Sequence, residues 1–157
     1  MSVAVIEAID AFIARPDKRI PKTEKPWPLD TSHHVEKLSY PIYVDEVRSD
    51  FKLVFTYPKV GKTRGSIITI ADGFPISRLD VGAVTRYTYQ PGSDIDGPRF
   101  YSWAKNRLLL THTPYVGLRH AEPAAVEPAQ FRVLLGWFMK QNNIDLDFVP
   151  PCPYSEE

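Results

Sequence analysis

The chain has a single cysteine, Cys152, in 157 residues. One thiol excludes an internal disulfide and a cysteine-based metal site, and its setting in PPCPY reads as a solvent-exposed spectator. Net charge is absent as well, with 19 Lys and Arg against 19 Asp and Glu, so no global field draws the chain to nucleic acid or to an anionic membrane. Long apolar runs are missing. The N-terminal MSVAVIEAIDAFIA is interrupted by Glu7 and Asp10 and has no basic region before it, so it reads as neither a signal peptide nor a bilayer span. The expectation is a cytoplasmic protein without a membrane role. No GxSxG elbow occurs, and the GKT of PKVGKTRGS is not a phosphate loop, because Thr56 stands where the pattern needs its first glycine.

Proline is plentiful, with 15 residues, and charge is unevenly distributed. Residues 51–120 hold ten Lys and Arg against four acids, whereas residues 1–50 hold seven against nine and residues 121–157 two against six. A basic centre between acidic flanks suits either a solvated sheet face balanced by its covering helices or a surface for an acidic partner.

Val5, Ile6, Ile9, Phe12 and Ile13 recur at helical spacing with Glu7 and Asp10 opposite, Ser2 as N-cap and Pro16 enforcing a stop near Ala14. Pro16, Pro21, Pro26 and Pro28 make residues 16–37 an irregular, proline-rich segment, with Trp27 as its anchor to the core. Leu38 to Val44 reads as an edge strand because Pro41 cannot donate to a ladder. Phe51, Leu53, Phe55 and Tyr57 alternate with Lys52, Val54 and Thr56 at strand spacing. SIITIA from Ser66 to Ala71, a turn at Asp72-Gly73, ISRLDV, and Val84 to Tyr89 continue an antiparallel meander. Gln90 to Pro98 is a loop, and Phe100 to Trp103 and Arg107 to Leu110 are the last strand candidates. A second helix follows from Pro128 in its first turn, through Phe131, Leu134, Leu135 and Phe138, to Asn142 and Asn143, with Gly136 implying close packing. Residues 145–157 read as an extended tail. The expected fold is a single α+β domain: an antiparallel sheet of about five to seven strands with an N-terminal and a C-terminal helix packed on it.

No constellation carries catalysis. His33 and His34 are adjacent in an extended segment and point apart, and His112 and His120 are separated by Pro114 and Gly117. Zinc needs three or four converging ligands, so neither a metal site nor a cofactor is expected. Asp94 and Asp96 in GSDIDG supply too few ligands for calcium and fit turn chemistry. What remains is an interleaved set of Arg86, Tyr87, Tyr89, Arg99, Tyr101, Trp103, Lys105 and Arg107. Rings beside guanidinium groups suit base stacking with phosphate contact, or a protein interface where Tyr, Trp and Arg are the enriched anchors, or plain cross-strand packing.

The helix ending in ARPDKRIP, the Trp-Pro segment, ISRLDVG before a proline-containing loop, GPRFYSW and the closing LLGWFMKQNNI together resemble a family of small uncharacterised bacterial α+β proteins. More typical members carry a His-x-Asn-Pro loop and a later His-x-His. The matching positions here are Thr88, Gln90 and Pro91, then Arg99 and Tyr101. The resemblance therefore implies binding rather than catalysis for this chain. The expectation is a small cytoplasmic bacterial regulator or adaptor, of the kind mobile elements carry, that binds a protein partner through residues 84–107. The alternative is a nucleic-acid-binding protein, including a metal-independent ribonuclease using His112 or His120 with Arg99 and Tyr101. A homo-oligomer is compatible with either.

Overall fold

Ser2 starts the first helix, α1 (Val3–Ala14), by accepting a hydrogen bond from the Val5 amide at 3.3 Å. Arg15 is already extended, with φ −66° and ψ 131°, as expected of a residue before proline. Ile6, Ile9 and Phe12 are buried and Ile13 is half-buried. Val5, expected on that stripe, is 44% exposed, because the buried stripe runs through Ile6, Ile9, Phe12 and Ile13 and leaves it to one side. Phe12 stacks on Phe51, with centroids 3.4 Å apart and planes within 2°, which fixes the helix to the sheet.

The computed structural model describes residues 2–21, 27–30, 35–58, 65–71, 73–81, 98–107, 118–126 and 131–146. Nine strands are seen among them: β1 (Lys18–Ile20), β2 (Trp27–Asp30), β3 (Val35–Val44), β4 (Val47–Pro58), β5 (Gly65–Ala71), β6 (Phe74–Val81), β7 (Arg99–Tyr101), β8 (Glu122–Pro123) and β9 (Ile144–Leu146). They form one sheet in the order β8-β7-β6-β5-β4-β3-β1-β9, with β2 also paired to β3. Every pairing is antiparallel except β1 with β9. The α+β architecture is the expected one. The strand number is higher because the proline-rich segment contains β1 and β2, and the expected tail begins inside β9.

Three local expectations are corrected. β3 is not an edge strand, since it lies between β4 on one side and β1 and β2 on the other. Pro41 is tolerated because it falls between Ser39, which pairs with β2, and Tyr43, which pairs with β1, beside a register shift against β4. The strand expected from Phe100 to Trp103 stops at Tyr101, and Arg107 caps a short helix, α2 (Trp103–Asn106), instead of starting a strand. Ser102 causes this, its hydroxyl accepting from the Lys105 amide at 3.2 Å while Asn106 Nδ2 donates to the Ser102 carbonyl. The third correction concerns Gly136, which packs against nothing: it is exposed, and a Cβ there would meet no atom within 4 Å. It lines an open groove of about 390 Å³ with Pro16, Met139, Lys140, Asn143 and Ile144.

The last helix, α3 (Phe131–Gln141), buries Leu134, Leu135, Phe138 and Met139. Asn142 and Asn143 end it, the latter at φ 55°. Phe138 and Trp137 meet Phe100 of β7 edge-on. Both long helices therefore cover the sheet face formed by Phe51, Leu53, Phe55, Ile67, Leu79 and Phe100.

Candidate functional site

Arg86, Tyr87 and Tyr89 lie outside the described residues. Of the other candidates, Arg99, Tyr101 and Trp103 are only 2%, 6% and 4% exposed. Trp103 joins the core, and its indole N–H donates to Asp10 Oδ1 at 2.7 Å. Arg107 grips the same carboxylate with two hydrogen bonds, Nε to Oδ1 at 2.7 Å and Nη2 to Oδ2 at 2.5 Å. The Arg107 contact holds the Asp10 carboxyl below the usual carboxylate range, against the opposing effect of burial. Asp10, expected on an open polar helix face, instead ties α1 to α2. Lys105 bonds Glu122 of β8. The set thus splits between interior packing and ion pairs that join elements.

The sheet face opposite α1 and α3, on which no helix lies among the described residues, joins the expected candidates Arg99 and Tyr101 to Arg78 and Asp80, which the sequence reading passed over as site residues. Cross-strand register aligns Ser39, Val54, Ile68, Arg78 and Tyr101 in one row, and Ser66, Asp80 and Arg99 in the next. Arg78 Nε donates to Asp80 Oδ1 at 2.5 Å, and Arg99 Nη2 lies 3.4 Å from Asp80 Oδ2. One carboxylate therefore serves two guanidinium groups of unequal access, the side chain of Arg99 being 2% exposed and that of Arg78 42%. Burial pushes the Tyr101 hydroxyl above its ordinary pKa, with Asp80 adding to the effect and Arg99 and Arg78 opposing it. Asp80→Ala withdraws a carboxylate from the interior Arg99 and should lower stability by about 1–3 kcal/mol. Arg48 and Lys52 are exposed on this face, and Ile68 and Ile70 are half-buried. The available signal was the spacing in SRLD, since residues two apart on a strand share a face.

His33, His34, His112, Asp94, Asp96, Cys152 and the GKT turn lie outside the described residues. His120 is exposed, and its backbone is bound through N–H and C=O to the Asn106 side chain. Among the described residues no three His, Cys, Asp or Glu side chains converge on a metal position, and no helix is long and apolar enough to cross a membrane. Two Ser-x-x-Lys spacings escaped the sequence reading. Ser49 and Lys52 lie on a strand, where the Ser49 hydroxyl donates to the Ile42 carbonyl. Ser102 is spent on capping α2, and the Lys105 ammonium on Glu122. Neither spacing makes a nucleophile–base contact. No family model, curated protein or solved structure matches the chain.

Proposed function

We propose that the chain is a non-catalytic cytoplasmic interaction domain that binds an acidic protein partner on the sheet face opposite α1 and α3. The observation that carries this reading is the mixture on that face: Arg48, Lys52 and Arg78 stand among half-buried Ile68 and Ile70. Cationic groups interleaved with aliphatic surface suit a protein interface, in which apolar contact supplies affinity and charge supplies orientation and approach. Nucleic acid fits less well. Stacking needs open rings, and the aromatic candidates within the described residues, Tyr101 and Trp103, are 6% and 4% exposed.

The test is affinity capture by the full chain from bacterial lysate, with and without nuclease, beside a Lys52→Glu/Arg78→Glu variant whose circular dichroism matches the parent. The expected result is a protein retained after nuclease by the parent and lost from the variant. Equal retention by both would remove this face from the account. Retention of nucleic acid alone would transfer the proposal to the nucleic-acid reading.

A further inference from the structure

The geometry points to Arg78 as a fork that receives a carboxylate from an acidic peptide segment of the partner. The inference rests on the proposed interaction function and names what the face recognises. Among the described residues Arg78 bonds through Nε alone, to Asp80 Oδ1 at 2.5 Å. Its terminal Nη edge is therefore uncommitted, on a side chain that remains 42% exposed. That edge presents two parallel N–H donors, the geometry that matches the two oxygens of a carboxylate.

Asp80 is the positioning residue. Its carboxylate fixes the guanidinium plane, and the interior Arg99 steadies Asp80 in turn. Holding the fork in place beforehand reduces the side-chain entropy lost when a ligand arrives. The neighbours of Arg78 in register are Ile68 on β5 and Tyr101 on β7. Aliphatic surface of half-buried Ile68 thus flanks the fork, and a segment in which Glu or Asp alternates with an apolar residue meets both features. A singly charged carboxylate is favoured over a dianionic phosphate because the Asp80 charge stands beside the fork and repels the second negative charge more strongly.

The probe is a fluorescent peptide of alternating Glu and Leu, beside its Gln/Leu and phosphoserine/Leu counterparts, titrated by anisotropy against the full chain. The full chain should bind the Glu/Leu peptide in preference to both counterparts. Arg78→Ala should weaken that binding roughly tenfold or more, and Arg78→Lys nearly as much, since an ammonium cannot present the paired donors. Full affinity in the lysine variant, equal binding of the Gln/Leu peptide, tighter binding of the phosphoserine peptide, or no binding of the Glu/Leu peptide would each overturn the fork. Lysate capture separates the two levels. A partner still held by Arg78→Ala defeats the fork and leaves the interaction domain standing, whereas no partner for the parent chain defeats the interaction domain itself.

Discussion

Lys18 carries its ammonium into the interior at 0% exposure, where Nζ donates to the carbonyls of Phe12 at 2.7 Å and Ile13 at 2.9 Å and lies 4.4 Å from the Phe12 ring centroid. Those carbonyls belong to the last turn of α1, where the helix dipole is negative and the backbone lacks partners of its own. Burial nevertheless dominates and pushes the amine down from 10.5 to about 8. Above pH 8 the folded chain releases this proton while the unfolded chain keeps it up to 10.5. The unfolded state then binds more protons, so stability rises with pH across that window. Tyr40 and Tyr101 act in the opposite sense above pH 10, because burial raises their hydroxyls above the ordinary 10.0. The urea midpoint of the parent should therefore climb from pH 8 towards pH 10, and that of Lys18→Met should lose the climb. A parent midpoint that falls over the same range would contradict the assignment. Nothing in the sequence marks Lys18 out from its neighbours, because the feature that matters is the pair of carbonyls it meets.

At the C-terminal end of α3, Asn142 is 2% exposed, accepts a hydrogen bond from the Ser77 hydroxyl at 2.8 Å and donates to the Phe138 carbonyl at 2.9 Å. It pins the helix to β6, and Asn143 Nδ2 reaches the Ile13 carbonyl at the end of α1 at 3.1 Å. Asn142→Ala leaves the Ser77 hydroxyl without its acceptor and should lower stability by about 1–3 kcal/mol. Chemical denaturation measures this, and an unchanged midpoint would show that water replaces the amide. The long elements were legible because apolar spacing continues for several residues and because Ser2, Pro16, Asn142 and Asn143 punctuate it. Strands β1, β2, β8 and β9 run for only two to four residues, too few for alternation to register. The hairpin between β3 and β4 was hidden for another reason: its turn residues Asp45 and Glu46 take φ 49° and 65° without a glycine to signal it. Arg99, Tyr101 and Trp103 attracted notice by residue type, yet alternation alone cannot say which sheet face the helices cover.

One contiguous core joins α1, β1, the central strands and α3, from Ile6 through Leu53 and Leu79 to Phe138 and Ile144. Loss of either helix opens the same interior, so unfolding should be a single cooperative event. Tryptophan fluorescence and far-ultraviolet circular dichroism should give superimposable urea transitions, and separated midpoints would show that the ends loosen independently. The parallel pairing of Lys18–Ile20 with Ile144–Leu146 adds a consequence in time. During synthesis β1 leaves the ribosome on the order of ten seconds before its partner, at ordinary elongation rates. Through that interval one side of β1 is an open template for another nascent chain. A stalled product ending short of Ile144 keeps that template exposed, which makes incomplete chains, more than finished ones, the species that protein quality control must handle.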